Sequence, residues 1–394
     1  MALNSPGWSN MIDFMPSDEQ QALVELVRKL MDRHATEEYI SRLDREGAYP
    51  YELWQEWAAA GLLGLPFPEE YGGQGGSVMD FILVAEVMGY WGYDMIGVYG
   101  TPLFMGLNVL HHGTEQQRER WLSPLLRGER RFSVAMTEPG AGSDAGAMRT
   151  TAVHDGGVWR LNGEKVYASG AGVENTTVCL YARTAPGGRH QEGTTCFLVP
   201  NDTPGLQIRP IETLGRHLYP TTQILLADVE IPADQVLGAV NGGWDVLLSG
   251  LQLERLATSA AYVGNARAVV DYAVDYAKNR VQFGKRIGDF QAISHMLADM
   301  HTVVEAARVL MLRAAWAYER GGDALIDISM AKLFGSETFM DVANKGMQIL
   351  GGYGYSMEFP MQRHFRAARG ATITAGTSQM QRQLIARKLG FKPT

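Results

Sequence analysis

The chain has 394 residues, 46% of them apolar and 20% charged, with a formal net charge of −8. This is globular composition, so a disordered chain and a coiled-coil rod are excluded, and the acidic balance argues against nucleic acid or an anionic membrane surface as partner. The 45 glycines follow no three-residue period, which excludes collagen and points to tight turns and close backbone approaches.

Residues 17 to about 130 read as mostly helical. Ser17-Asp18-Glu19-Gln20 begins an N-terminal cap, and Leu23, Leu26, Val27 and Leu30 follow on one face. Gly72-Gly73-Gln74-Gly75-Gly76 reads as a loop, after which Phe81, Val84, Ala85 and Met88 mark another helix. His111-His112 has no metal-ligand spacing and reads as loop, and no metal site is expected. From 131 to about 243 the period changes to two. Phe132, Val134 and Met136 alternate with Ser133, Ala135 and Thr137, and Val178, Leu180 and Ala182 with Thr177, Cys179 and Tyr181. Asn162-Gly163 reads as a hairpin turn, and Pro139-Gly140, Pro186-Gly187 and Pro204-Gly205 as further turns. Cys179 and Cys196 fall in β-like runs with no CxxC spacing, so buried thiols are expected.

After Gly243 the helical period returns. Ala266, Val269, Val270, Ala273, Val274 and Ala277 form one stripe, and Phe290, Ile293, Leu297, Met300 and Val304 another; 326–350 and 379–389 are helical too. The expected fold is α+β multi-domain: an N-terminal helical domain (1–130), a middle antiparallel β domain (131–243) and a C-terminal four-helix-bundle-like domain (244–394). No run of 18 apolar residues appears, so no membrane span is expected, and Met1 to Met15 lacks the pattern of a leader. A reducing, cytoplasmic compartment is the expected location.

Five segments could carry chemistry. Gly140-Ala141-Gly142-Ser143-Asp144-Ala145 matches G-x-G-x-x-A after a strand, but strand-like residues follow where a dinucleotide fold needs a helix. It is then either a plain turn or a loop whose N–H groups, with Thr137 and Ser143, face a polar ligand. Glu254 shares a helix meridian with Leu247, Leu251, Thr258 and Ala261. On that apolar face a carboxylate is either a general base with a raised pKa or a structural acid paired with a basic group. Arg280-Val281-Gln282-Phe283-Gly284 is either a basic helix end or a phosphate fork. Gln348 to Gly354 is either a glycine cap or an open backbone surface for a cofactor. Ala375-Gly376-Thr377-Ser378-Gln379 is either an N-cap or an anion-binding helix start. There is no G-x-S-x-G elbow and no Walker loop.

Taken together, Met136-Thr137-Glu138-Pro139-Gly140-Ala141-Gly142-Ser143-Asp144, Arg280-Val281-Gln282-Phe283-Gly284, the Gln348–Gly354 stretch and Gly376-Thr377-Ser378-Gln379 resemble the acyl-CoA dehydrogenase family over almost the whole chain. The resemblance implies FAD between the β domain and the C-terminal helices, a homotetramer built as a dimer of dimers, an acyl-CoA substrate and an electron-transferring flavoprotein as electron acceptor. It assigns Met136, Thr137, Ser143, Tyr167, Ser169, Arg280, Gln282, Phe283, Gln291, Gln348, Gly351, Gly352, Thr377 and Gln379 to the cofactor. It assigns Ser143, Arg255, Tyr93, Asp94 and Gly376 to the substrate side. Lys165-Val166-Tyr167-Ala168-Ser169 departs from the usual Lys-Met-Trp-Ile-Thr at the flavin but keeps an aromatic face and a hydroxyl. Ala375 stands where many members carry the catalytic Glu. Isovaleryl- and long-chain-type members place the base on the helix of Glu254 instead, so Glu254 is the expected base, with Asp94 in reserve.

The implied reaction is α,β-dehydrogenation to the 2-enoyl thioester. Tyr90, Trp91, Tyr93, Asp94, Met95 and Tyr99, lining the acyl end, would suit a short, branched or ring-bearing group. Reductases, desulfinases, monooxygenases and non-catalytic thioester binders of the same fold are the alternatives.

Overall fold

The computed structural model describes residues 15–185 and 192–392. Six helices come first: α1 (Asp18–His34), α2 (Glu37–Glu46), α3 (Tyr51–Ala59), α4 (Val78–Tyr90), α5 (Tyr93–His112) and α6 (Glu115–Leu126). The expected start of α1 is a full capping box: Gln20 N–H donates to Ser17 Oγ at 3.2 Å and Ser17 N–H to Gln20 Oε1 at 3.0 Å. Of its apolar face, Val27 is buried and Leu23 and Leu30 pack at the margin, but Leu26 points outward and is 56% exposed. His111 and His112 close α5 rather than forming a loop, and His112 Nε2 lies 2.8 Å from Ser249 Oγ. α5 is buried on nearly every side, as an all-round apolar helix must be.

The middle of the chain forms one sheet of β1 (Arg131–Ala135), β2 (Thr151–Asp155), β3 (Val158–Ser169), β4 (Thr176–Arg183), β5 (Thr194–Pro200), β6 (Leu206–Pro210), β7 (Thr221–Pro232) and β8 (Val236–Leu237). The order is β6-β7-β3-β2-β4-β5-β8. Most junctions are antiparallel, but β1 lies parallel to β4, and β2 meets β4 in parallel at Thr151 and Arg183. The hairpin expected at Asn162-Gly163 is not there. β3 runs straight through, with a register shift against β7, and the turn is at Gly156-Gly157. Gly163 answers a close approach instead: a Cβ there would lie 2.7 Å from Thr150 Cα. Pro204-Gly205 is a turn as expected, and Pro186-Gly187 lies outside the described residues.

β4 explains the cysteines. It is buried on both faces, so alternate residues enter two cores. Val178, Leu180 and Ala182 join the sheet's own core; Cys179 and Tyr181 join the helical one, with Cys196 from β5. Both thiols are free and buried.

The C-terminal bundle is α7 (Gly243–Asn279), a two-residue hairpin β9 (Val281–Gln282) and β10 (Lys285–Arg286), then α8 (Gln291–Glu319), α9 (Leu325–Leu350), α10 (Gly352–Tyr355), α11 (Met361–Ala371) and α12 (Ser378–Lys388). α7 runs through the molecule and packs on α4, α5, α8 and α9. Paired glycines permit its crossing with α4. A Cβ on Gly89 would fall 2.3 Å from Ala261 O, and one on Gly264 2.0 Å from Glu86 O. The crossing thereby fixes the central part of α7, about two turns beyond Glu254, against the N-terminal domain. Among the described residues no helix is long and apolar enough to cross a membrane.

Candidate active site

Glu254 sits where α7 passes between the sheet and the N-terminal helices. No described residue donates a hydrogen bond to its carboxylate, and no ion pair joins it to a basic group. Thr258 Oγ1 turns back to the Glu254 carbonyl at 2.9 Å instead. Burial raises the pKa of Glu254, while the guanidinium groups of Arg255 and Arg216 act the other way. Its charge also bears on Tyr181 and Tyr219, whose buried hydroxyls have Cys196 and Thr101 as polar neighbours but make no well-formed hydrogen bond with a described residue. The site is therefore lined by one carboxylate without partners and by donors left unused, as a space awaiting a polar ligand would be.

Arg255, the next residue, serves the loop before α12. Its Nε donates to Ala375 O at 3.2 Å. Lys332 of α9, fully buried, donates from Nζ to Gly376 O at 2.6 Å and to Ala371 O at 3.2 Å, and Gln381 Nε2 donates to Gly376 O at 3.1 Å. Three side chains thus hold a turn in which Ala375 and Gly376 have φ of 52° and 88°. Thr377 then caps α12, accepting the Met380 N–H at 3.2 Å. Thr377 and Gln379 line a cleft of about 470 Å³ with Asp341, Asn344 and Arg369.

The sheet contributes the face expected around Thr137. Met136 O accepts Lys165 Nζ at 3.1 Å, and Thr137 O accepts the Val166 N–H at 2.9 Å. Beneath them Lys165 and Glu138 form a buried ion pair at 2.8 Å, and Glu138 also accepts the N–H groups of Arg149 and Thr150. Both ends of the Met136–Ser143 loop are fixed in this way, while Ser143 itself is exposed. Tyr167 stands on an irregularity of β3 with φ of 60° and is 64% exposed. A bulky residue held at positive φ with its ring in the open is costly and marks a functional surface. Ser169 Oγ lies 3.3 Å from Thr221 Oγ1.

A second group is distant. Arg280 ends α7, roughly 39 Å along the helix axis from Glu254. Its guanidinium lies 5.3 Å from the Tyr353 ring centroid, which brings it to the Gln348, Gly351 and Gly352 segment. Gln282, Gln348 and Gln291 are exposed, and Phe283 is 94% exposed at φ of 51°. One chain thus gathers Met136, Thr137, Ser143, Tyr167 and Ser169 on the sheet. It groups Glu254, Arg255, Gly376 and Thr377 beside α7, and leaves the Arg280 group at the far tip.

The acyl end differs from expectation. Tyr99 packs in the N-terminal core with its hydroxyl on Leu62 O at 2.9 Å, and Tyr90 bonds Asp271 at the surface. Tyr93 is buried, 2.9 Å from Thr374 Oγ1. Asp94 is buried, and burial raises its pKa against Arg216 and the Leu218 N–H. Sequence reading missed Arg216, Tyr219 and Lys332. Nothing in local spacing brings the 215–219 loop to α5 and α7.

Models of the acyl-CoA dehydrogenase N-terminal, middle and C-terminal domains match residues 17–129, 133–229 and 241–390. The probable acyl-CoA dehydrogenase YngJ of Bacillus subtilis is 36% identical over 383 residues, 96% of this chain and 100% of its own. The chain belongs to the acyl-CoA dehydrogenase family. The caffeyl-CoA reductase-Etf complex subunit CarC of Acetobacterium woodii is 35% identical, covering 94% of this chain and 97% of its own. The solved FAD complex of PigA superposes with a TM-score of 0.89 at 30% identity, over 96% and 99% of the two chains. As a family member the protein is an FAD-dependent oxidoreductase of CH–CH groups. Its residues fit the cofactor: a Cβ on Gly140, Gly142, Gly351 or Gly352 would meet only open space, so these backbones are free for a ligand to approach. Tyr167 presents an open aromatic face, and Arg280 a cation for a diphosphate.

Proposed function

We propose that the protein oxidises a short, branched or ring-bearing acyl-CoA thioester to its 2-enoyl thioester, with Glu254 as the base. The observation that carries this reading is the half-buried Glu254 carboxylate, which has no ion pair or hydrogen-bond donor among the described residues and whose pKa, raised by desolvation, suits proton abstraction next to a carbonyl. FAD, when bound, supplies the acceptor for the hydride equivalent lost from the β-carbon. Glu254 receives the α-proton. Arg255, Lys332 and Gln381 keep the 375–376 loop in place beside it. Thr137, Ser143, Tyr167 and Ser169 form the cofactor and thioester face of the sheet, and Gly376 the opposite rim. Water is kept from the site by the tyrosines of the 215–219 loop, α5 and α7.

Arg280 caps the far end of α7, away from Glu254, and Gln282, Phe283, Gln291, Gln348, Gly351 and Gly352 belong to the hairpin and helix ends grouped with it, out of reach of a flavin at Glu254 of the same chain. This supports a homotetramer in which a neighbouring copy supplies them. Electrons pass to an electron-transferring flavoprotein, in keeping with the complex named for CarC. That relative's name also supports a second reading: the same carboxyl, protonated, delivers the α-proton in enoyl-thioester reduction. We place the protein in the cytoplasm.

Anaerobic mixing of the holoenzyme with a panel of acyl-CoAs tests the reading: at least one should bleach the flavin. Glu254→Gln should abolish the bleaching while FAD and subunit assembly are retained. Near-normal turnover in that variant would remove Glu254 from the mechanism.

A further inference from the structure

Two buried atoms beside the proposed acyl end have no hydrogen-bond partner among the described residues and are of opposite kind. Asp94 is 8% exposed; its Oδ2 accepts the Leu218 N–H at 3.2 Å, and its Oδ1 accepts nothing. Arg216 Nε is buried and donates to nothing. The guanidinium makes no hydrogen bond and no ion pair with any described residue. Both side chains line one small cavity between α5, the 216–218 loop and α11.

The arrangement is built rather than incidental. Arg216 is held at φ of 70°, a conformation that costs free energy in a non-glycine residue. α5 makes room for it at Gly97: a Cβ there would lie 3.1 Å from an Arg216 terminal nitrogen and 2.7 Å from the Tyr219 ring. Gly170, next to Ser169, makes room for the same ring, whose edge lies 2.3 Å from a Cβ position. The 215–219 loop is thus pressed between α5 and the sheet, with the Arg216 guanidinium 5.3 Å from the Tyr93 ring centroid and 6.0 Å from that of Tyr219.

An unmade hydrogen bond from a buried charged group is expensive, and two left open in the lining of one cavity select the ligand that closes both. A hydrocarbon tail closes neither. A carboxylate has no proton for Asp94 Oδ1 and would bring another acid to a cavity already lined by Asp94 and Asp44. A hydroxyl or a carboxamide accepts from Arg216 and donates to Asp94. We infer that the acyl group bound here ends in a neutral group that both donates and accepts a hydrogen bond, a hydroxyl or carboxamide, read by Asp94 and Arg216. This deepens the proposed function and rests on it.

The test is a set of thioesters differing by one polar group, given to the FAD-loaded enzyme: valeryl-CoA with 5-hydroxyvaleryl-CoA and glutaryl-CoA, and 3-phenylpropionyl-CoA with 3-(4-hydroxyphenyl)propionyl-CoA. Flavin reduction gives kcat/KM, and calorimetry gives Kd for the matching 2-enoyl-CoAs. In one pair or both, the hydroxylated member should be preferred at least tenfold in both quantities, and glutaryl-CoA should be a poor substrate. Asp94→Asn and Arg216→Gln should bring the preference down towards unity; the wild-type panel decides if either variant fails to retain FAD. Equal or better use of the plain acyl groups in both pairs, or a preference for glutaryl-CoA, would overturn the inference and leave thioester oxidation standing. Failure of every thioester to reduce the flavin would remove the proposed function itself, and this inference with it.

Discussion

Arg255 Nε donates to the carbonyl oxygen of Ala375 at 3.2 Å, tying the helix that bears the proposed base to the loop where many relatives carry theirs. The arginine beside Glu254 is therefore occupied by backbone and is not paired with the carboxylate. Glu254 keeps a positive neighbour without being neutralised by it.

Burial holds the pKa of Glu254 above its ordinary 4.5, with Arg255 and Arg216 restraining the rise. A base must be ionised to accept a proton, so kcat/KM should fall as pH drops through a value above 4.5. Removing a cation disfavours the ionised form. Arg216→Gln should therefore shift this acid limb to higher pH, as read from pH–rate profiles with one thioester. A limb that stays in place would show that Arg216 does not face the base.

Lys332 is buried with two carbonyl oxygens as partners, and burial followed by the nearby Arg255 brings its pKa down to about 8. Lys332→Met should cost about 2–3 kcal/mol, since two hydrogen bonds from a charged donor are lost and only Gly376 O keeps another side-chain donor, Gln381 Nε2. Because Gly376 O loses its shortest contact, kcat should fall more than FAD affinity does. A thermal melt, FAD titration and turnover measured on one preparation separate the two effects.

His364 is buried on α11, where Asn265 Nδ2 donates to its Nδ1 at 2.9 Å. Burial, and then Arg363, depress its pKa to about 3, against 6.5 in the unfolded chain. Between those values the unfolded chain binds a proton that the folded one refuses. Stability is thus full above pH 6.5 and is lost as pH falls towards 3. From pH 7 to pH 5 the loss should be about 2 kcal/mol. Urea unfolding at the two pH values should show it, and His364→Gln should remove that part of the slope.

Much of the architecture could be read because the signals were local. Ser17 and Gln20 make their capping box three residues apart, and the stripe on α7 needs only its own periodicity. Where geometry is set by distant partners, the reading failed. Asn162-Gly163 has turn composition, but Gly163 is required by contact with Thr150, and the strand continues. Tyr99 looked like pocket lining by its place beside Asp94, yet its hydroxyl faces Leu62, one turn beyond the pocket side of α5. Glu254 stood out as an acid on an apolar meridian. Arg216 did not, because its place is fixed by a loop folding onto Gly97 of α5, more than a hundred residues earlier, with Tyr219 of the same loop seated on Gly170 just after β3.

The span of α7 has a consequence for genetics as much as for chemistry. On the proposed assignment, a rod that carries the proton acceptor a third of the way along and a diphosphate-side arginine at its far end would make each polypeptide of the proposed oligomer host to one reaction centre and contributor to another. Two inactive alleles, one altered at Glu254 and one at Arg280, should then complement when co-expressed, because a mixed pair contains one centre assembled wholly from intact parts.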